Sequence, residues 1–313
     1  MQFYEFKETQ ERVILIGVQT EVGDDVEASL DELEELAETA GAETVAKVIQ
    51  NREAVHPGTY IGKGKIEEVA SLLRALDANG VICDDELSPA QLNNLERELD
   101  CKVMDRTLLI LDIFAGRAVS SEGKIQVELA QLRYRAARLV GLRESLSRLG
   151  GGIGTRGPGE KKLETDRRLI RTRISALKAE LAQVEKHREL IRGKRSRGNL
   201  KTAAIVGYTN AGKSTLLNTL TGAGILAEDK LFATLDPTTR VLELKDGQQI
   251  LLTDTVGFIR KLPHHLVEAF KSTLEEAKYA DYIIHVVDAS NPQAELQMFT
   301  VYETLRELGA TGK

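Results

Sequence analysis

In its C-terminal half the chain reads Gly207-Tyr-Thr-Asn-Ala-Gly-Lys-Ser214. This segment fits the phosphate-loop pattern G-x-x-x-x-G-K-[ST] at every fixed position. The glycines of such a loop allow backbone N–H groups to curl around a phosphate, and the helix that follows adds the positive end of its dipole. The segment therefore predicts a phosphate-binding loop between a strand and a helix.

The residues on either side have the pattern that such a loop requires. An apolar run at Thr202–Val206 predicts the preceding strand, and Ser214–Leu220 predicts the following helix. In this arrangement the Lys213 ammonium reaches the β- and γ-phosphates of a nucleoside triphosphate, while the Ser214 hydroxyl ligates Mg²⁺. We therefore expect a nucleoside triphosphate and Mg²⁺ as ligands.

A second motif, Asp254-Thr-Val-Gly257, follows an apolar strand predicted at Ile250–Leu252. An Asp at the end of a strand beside the phosphate loop can hold a Mg²⁺-bound water, and the Gly257 N–H can contact the γ-phosphate. The pattern D-x-x-G is common by itself, but its position about forty residues after the loop makes it specific.

Between these motifs lies Phe232-Ala-Thr-Leu-Asp236, followed by Pro-Thr-Thr239. A nucleotide switch of this type needs a Thr in its first switch segment to complete the Mg²⁺ shell. Thr234, Thr238 and Thr239 are all candidates, and their spacing does not choose among them. At least one of the three is then an ordinary loop residue.

Residues 1–115 alternate short β-branched runs with helical patterns, which predicts a parallel sheet. The predicted strands are Arg12–Val18, Thr44–Asn51, Gly80–Cys83 and Cys101–Met104, and the predicted helices are Val26–Thr39, Ile66–Leu76 and Ser88–Leu99. We expect an α/β protein with three parts: an N-terminal α/β domain (1–115), a helical hairpin (116–197) and a P-loop domain with a mostly parallel sheet (198–313).

The middle part is strongly basic. Arg117–Arg197 contains 21 Lys and Arg against nine Asp and Glu, a net charge of +12 in a chain whose total is −6. Apolar residues recur at steps of three and four on both sides of a breaker at 150–159, which has six glycines in ten residues. This pattern predicts an antiparallel hairpin with a Gly-rich tip, and its charge favours a nucleic-acid partner over a merely solvated surface.

The composition is that of a soluble globular protein, with 42% hydrophobic and 29% charged residues. No apolar stretch approaches the ~20 residues that span a bilayer. Met1–Arg12 also lacks the apolar core of a signal peptide. We expect a cytoplasmic monomer with no membrane span.

Taken together, these motifs resemble those of the HflX family, ribosome-associated GTPases related to the Obg family, and the resemblance covers essentially the whole chain. The segments that carry it are Gly207–Ser214, Phe232–Asp236, Asp254–Phe258, His285–Ser290 and Gly150–Arg168, the last of which is particular to this family. The resemblance implies GTP as the nucleotide and Thr234 as the switch-one Mg²⁺ ligand. It also implies that the hairpin binds the rRNA of the large ribosomal subunit, in ribosome splitting, rescue or assembly.

The expected nucleotide site combines the phosphate loop, the first switch and the D-x-x-G motif. Its members are Gly207, Tyr208, Thr209, Asn210, Ala211, Gly212, Lys213, Ser214, Phe232, Ala233, Thr234, Leu235, Asp236, Asp254, Thr255, Val256 and Gly257. We expect Lys213, Thr234 and Gly257 to act in catalysis, and Ser214 and Thr234 to ligate Mg²⁺.

Two features depart from the common GTPase pattern. Phe258 follows D-x-x-G where many GTPases have a water-orienting Gln, so we expect a low basal rate of hydrolysis, with His264 and His265 as weak alternative candidates. No guanine-reading Asn-Lys-x-Asp motif occurs before Lys313. We therefore expect a C-terminally truncated GTPase domain whose guanine specificity is implied only by the resemblance.

Two other functions stay open at this point. The chain could be an RNA- or ribosome-binding module with a non-functional nucleotide site. It could also be an ATP-using enzyme built on the same phosphate loop.

Overall fold

The computed structural model describes residues 10–20, 25–149, 158–196, 200–222, 230–262 and 271–310. The chain forms two compact units. The first combines Met1–Asp112 with Ala137–Glu160, and the second combines Ile113–Ala136 with Lys161–Lys313.

The first unit contains a four-stranded parallel sheet with strand order β2-β1-β3-β4. Its strands are β1 (Arg12–Gln19), β2 (Glu43–Asn51), β3 (Gly80–Cys83) and β4 (Lys102–Asp105), and the connecting helices are α1 (Val26–Thr39), α2 (Lys63–Ala75) and α3 (Pro89–Leu99). Apolar side chains of the strands pack against those of α2 and α3, among them Ile14, Ile16, Val81, Val69 and Leu95. The parallel sheet predicted from the alternation of strands and helices is confirmed.

Local capping explains why α3 begins where the sequence predicted. The Ser88 hydroxyl accepts a hydrogen bond from the Gln91 N–H, and the Gln91 side chain accepts one from the Ser88 N–H. Pro89, at the first helical position, has no N–H that would need a partner there. This reciprocal arrangement satisfies two of the free N–H groups at the helix start.

Helix α4 (Arg106–Arg117) was not predicted from the sequence. Its first side chain, Arg106, is buried and donates to the carboxylates of Asp84 and Glu32. These ion pairs offset the burial and keep the pKa of Arg106 above its usual value. Asp105, directly before the helix, accepts from the Leu108 N–H at 2.9 Å, which is a local N-cap that the sequence prediction missed.

Two long helices follow, α5 (Ser121–Leu149) and α6 (Pro158–Ser196). Within the second unit, Ile125 and Leu129 of α5 pack against Leu177 of α6. Ion pairs join Glu122 to Arg188 at 2.9 Å and Glu128 to Arg173 at 2.7 Å. Earlier residues of α5 thus meet later residues of α6, which is the antiparallel pairing predicted from the two apolar seams.

The second unit also contains a four-stranded sheet with order β6-β7-β5-β8. Strands β5, β7 and β8 are parallel, and β6 is antiparallel to β7. The elements are β5 (Lys201–Gly207), α7 (Lys213–Thr221), β6 (Thr238–Glu243), β7 (Gln249–Asp254), α8 (Lys271–Tyr279), β8 (Tyr282–Val286) and α9 (Ala294–Glu307). The predicted α/β class is therefore confirmed. In the part of the chain that the structure describes, no helix combines the length and the hydrophobicity that a membrane span requires.

Candidate functional site

The predicted phosphate loop lies between β5 and α7. Gly212 precedes α7 with a φ of +88°, a left-handed conformation that a side chain would strain, and Asn210 adopts φ +58°. The Lys213 side chain is buried, and its ammonium donates to the backbone oxygen of Tyr208 at 2.6 Å. Burial lowers the pKa of Lys213 to about 8. A bound anion would stabilise this ammonium, because it would supply the charge that water no longer provides.

Three oxygen-bearing side chains meet beside this loop. The Ser214 hydroxyl donates to Asp254 Oδ2 at 2.6 Å and lies 2.8 Å from Thr234 Oγ1. The Thr234 hydroxyl also donates to Asp254 Oδ2, at 3.0 Å. The parallel pairing of β5 and β7 causes this convergence, since it brings the ends of both strands to the same edge of the sheet.

This group of oxygens fits a divalent cation. Asp254 Oδ1 is buried and has no hydrogen-bond partner among the residues that the structure describes. Burial raises the pKa of Asp254, although the hydrogen bonds from Ser214 and Thr234 act in the opposite direction. Hydroxyl and carboxylate oxygens are the ligands that Mg²⁺ prefers. Ser214 and Thr234 would hold such an ion, with Asp254 beside them.

Gly257 is packed against the phosphate loop. A Cβ atom at this position would lie 2.6 Å from Thr209 Cα and 3.0 Å from the Lys213 ammonium. Two backbone hydrogen bonds hold the segments together, from the Thr209 N–H to the Phe258 oxygen at 2.7 Å and from the Phe258 N–H to the Gly207 oxygen at 3.1 Å. Only glycine therefore fits at this contact.

Together these segments line an open cleft of about 400 Å³. Most of its lining comes from the predicted site: Thr209, Asn210, Gly212, Lys213, Ser214, Phe232, Ala233, Thr234, Thr255 and Gly257. A buried cation and clustered hydroxyl oxygens suit a phosphorylated ligand with a bound metal ion.

Family models match three consecutive parts of the chain. Residues 27–115 match the model described as GTP-binding GTPase N-terminal, and residues 117–195 match GTP-binding GTPase Middle Region. Residues 202–311 match 50S ribosome-binding GTPase.

Relatives named GTPase HflX align with nearly the whole chain. The one from Lacrimispora saccharolytica is 74% identical over 99% of this chain and 73% of its own length. The chain belongs to the HflX family of GTPases. The HflX relative from Escherichia coli K12 is 49% identical over 96% of this chain and 70% of its own length.

Solved structures of related proteins support the same fold. A crystal structure of SsGBP with GDP is 28% identical, covers 97% of this chain and 80% of that one, and has a TM-score of 0.55. A GTP-binding protein from Sulfolobus solfataricus, also solved with GDP, has the same identity and coverage with a TM-score of 0.50. The fold of this chain is therefore similar to the folds of these two structures.

Several predicted site residues of this HflX-family chain have buried side chains that pack within the protein. The Tyr208 hydroxyl accepts from the Arg260 N–H at 2.8 Å, and the Thr255 hydroxyl donates to the Ile205 oxygen at 2.8 Å. Leu235 and Val256 are buried as well. These side chains fix the shape of the loops around the cleft.

The structure separates the three candidate threonines. Thr234 lies beside Ser214 and Asp254, whereas Thr238 and Thr239 belong to strand β6, which the sequence analysis did not predict. Thr239 Oγ1 lies 2.9 Å from Thr253 Oγ1 of the neighbouring strand. Thr238 and Thr239 are thus held by strand pairing, so their expected loop position was wrong.

Phe258 is only 1% exposed and therefore packs in the core. Its backbone pairs with the phosphate loop, so the residue has a structural role that a polar side chain would not fill. The weak alternatives His264 and His265 lie outside the described residues, as do residues 150–157 of the Gly-rich tip.

Two lining residues were missed by the sequence analysis, Thr215 and Lys230. Thr215 directly follows the loop motif at the start of α7, and that position was a signal for including it. Lys230 is an exposed cation two residues before Phe232 and carries no motif. Only its position in the fold identifies it.

Proposed function

We propose that this HflX-family chain binds GTP together with Mg²⁺ in the cleft, hydrolyses it as a switch, and binds the large ribosomal subunit through α5 and α6. The observation that carries the metal-dependent part is the meeting of Ser214, Thr234 and Asp254, with a buried carboxylate oxygen that lacks a partner among the described residues. Mg²⁺ would neutralise charge on the phosphates there. The chain's own groups orient the nucleotide.

Each part of the site has a separate task in this proposal. Lys213 binds the β- and γ-phosphates, and Gly257 presents its N–H to the γ-phosphate from a position against Thr209. Ser214 and Thr234 hold the metal ion. Because Phe258 is buried, no side chain at that position orients the attacking water, and we propose a low basal rate that a partner raises.

The charge of the middle segment supports the ribosomal part of the proposal. Arg117–Arg197 carries a net charge of +12. The family model that matches residues 202–311 is described as 50S ribosome-binding GTPase. Basic helices neutralise RNA phosphates and release counterions, so binding should weaken steeply with salt. We propose that the protein acts in the cytoplasm as a monomer.

The experiment measures co-sedimentation with purified large subunits in the presence of GTP, ATP or no nucleotide, at several salt concentrations. We expect GTP with Mg²⁺ to increase binding, and Lys213→Ala to abolish this increase and the hydrolysis. Binding that is independent of nucleotide but has a normal salt slope would favour the alternative, an RNA-binding module. Displacement of bound GTP by an equal concentration of ATP would contradict the choice of nucleotide.

A further inference from the structure

The carboxylate of Asp236 is bound to the beginning of helix α5. Its Oδ2 atom accepts hydrogen bonds from the Val119 N–H at 3.0 Å and the Ser120 N–H at 2.8 Å. Its Oδ1 atom accepts one from the Ser120 hydroxyl. These contacts join residues that are far apart in the sequence: the separation is 116 positions for Ser120 and 117 positions for Val119. No local pattern could have indicated them.

Ser120 continues this connection into the helix itself. Its hydroxyl oxygen accepts from the Gly123 N–H at 2.9 Å, the bond that an N-cap residue makes. Gly123 leaves room for the carboxylate, because a Cβ there would lie 2.6 Å from Asp236 Oδ1. A negative charge at this end also interacts favourably with the helix dipole. Asp236 and Ser120 thus form a two-residue cap on α5.

The same five-residue segment is fastened at its other end. Phe232 adopts a left-handed φ of +54°, and its N–H donates to Thr209 Oγ1 at 2.9 Å. Its ring meets the ring of Phe114 edge-on, with centroids 4.7 Å apart. A non-glycine residue keeps such a backbone conformation only when its surroundings enforce it. Phe232 is therefore held by the phosphate loop and by α4.

Thr234 lies between these two attachments. One residue separates it from Asp236, and that residue, Leu235, is buried. The direction of the Thr234 hydroxyl therefore depends on where Asp236 is attached. Asp236 does not line the nucleotide cleft itself, so its effect on a nucleotide has to pass through Thr234.

We propose that Asp236 is a positioning residue, which holds Thr234 toward the metal site by fastening the first switch to the start of α5. This inference rests on the proposed function and adds that Thr234 would reach the metal ion only when the γ-phosphate is present. Coupling of this kind is reciprocal. GTP with Mg²⁺ stabilises the cap on α5, and an intact cap favours GTP over GDP. The stability of the start of α5 thereby depends on which nucleotide is bound.

The test compares Asp236→Asn, Ser120→Ala and the double variant with the unaltered chain. The measured quantities are the affinities for a non-hydrolysable GTP analogue and for GDP, both with Mg²⁺. We expect each single change to weaken analogue binding about tenfold. This factor corresponds to about 1.4 kcal/mol, which is within the range for the loss of a helix cap with a charged acceptor. GDP binding should change less than about twofold. Both changes break the same connection. The double variant should therefore bind the analogue as tightly as the single variant with the lower affinity does.

A second readout follows the cap directly. Hydrogen exchange of the Val119, Ser120 and Gly123 amides should be about tenfold slower with the GTP analogue than with GDP in the unaltered chain. Asp236→Asn should remove this difference. The matched control is Asp246→Asn, because the Asp246 carboxylate also accepts from a backbone N–H, that of Gln248, but in the turn between β6 and β7. This control should leave both readouts unchanged.

Three results would overturn the inference. Equal losses of analogue and GDP affinity in Asp236→Asn would show a cap that matters only for folding. Unchanged affinities for both nucleotides in both single variants, with normal Mg²⁺-dependent binding by the unaltered chain, would refute the inference alone. Failure of the unaltered chain to bind the analogue with Mg²⁺ would refute the proposed function and this inference with it.

Discussion

Gly257→Ala should both destabilise the second unit and weaken nucleotide binding. The added Cβ would lie 2.6 Å from Thr209 Cα, a distance that real Cβ atoms essentially never show. The nearest atom belongs to the backbone of the phosphate loop, so it cannot rotate away as a flexible side chain would. The contact can be relieved only if the loop and the D-x-x-G segment move apart.

The structure sets the size of this effect. Separating the two segments by nearly an ångström strains the hydrogen bonds on both sides of the contact, Thr209 N–H to Phe258 O and Phe258 N–H to Gly207 O. Overpacking of a well-packed site costs about 1–3 kcal/mol, and the loss of one of the two backbone hydrogen bonds costs about 1 kcal/mol more. We therefore expect the free energy of unfolding to fall by about 2–4 kcal/mol.

The assay is urea unfolding followed by circular dichroism, together with binding of a fluorescent GTP analogue in the presence of Mg²⁺. Gly116→Ala is the matched control in the same unit, because Gly116 lies in helix α4 and a Cβ there would meet nothing within 4 Å. That control should be neutral or should stabilise by up to about 1 kcal/mol. Unaltered stability and unaltered binding in Gly257→Ala would refute the close contact of the two segments.

Three further predictions concern other parts of the second unit. Asp254→Asn should weaken Mg²⁺-dependent nucleotide binding at least tenfold. The free energy of unfolding should change by only about 1 kcal/mol, because the amide keeps the shape of the side chain and one acceptor oxygen. Equal binding with and without Mg²⁺ in the unaltered chain would contradict the metal site. Hydrogen bonds from Thr202 and Lys201 lower the pKa of Asp281 from 3.8 to about 2. Its stabilising contribution should therefore be complete above about pH 4 and be lost as the pH falls toward 2, and Asp281→Asn should remove that part of an acid-unfolding curve. Leu177 is only 1% exposed between α5 and α6, and Leu177→Ala should lower the free energy of unfolding by about 2–5 kcal/mol in a thermal unfolding assay. The control is Leu190→Ala on α6, where the side chain is 68% exposed. This change should lower the free energy of unfolding by less than about 0.5 kcal/mol in the same assay.

Much of the element order could be predicted because its signals are local. The predicted bounds of Val26–Thr39 and Gly80–Cys83 agree with α1 and β3 residue for residue. The start of α3 followed from a capping residue and a proline within four positions. The phosphate-loop motif could be predicted because its spacing is fixed by the distance over which backbone N–H groups can surround one phosphate.

Strand β6 and the burial of Arg106 in helix α4 depend on contacts between distant residues. Strand β6 exists because it pairs with β7, and that pairing holds Thr239 beside Thr253. Helix α4 begins with a buried Arg106 whose carboxylate partners lie at Glu32 and Asp84.

By itself, the sequence determined that this chain has an α/β fold, a phosphate-loop motif, a D-x-x-G motif and a basic pair of helices. These features depend on residue spacing and periodicity, which act within a few turns or one strand. Only the tertiary structure decided that Thr234 lies beside Ser214, that Phe258 is buried, and that Asp236 caps α5. The physical reason is that a hydroxyl, a ring and a carboxylate acquire their roles from the neighbours that folding brings to them.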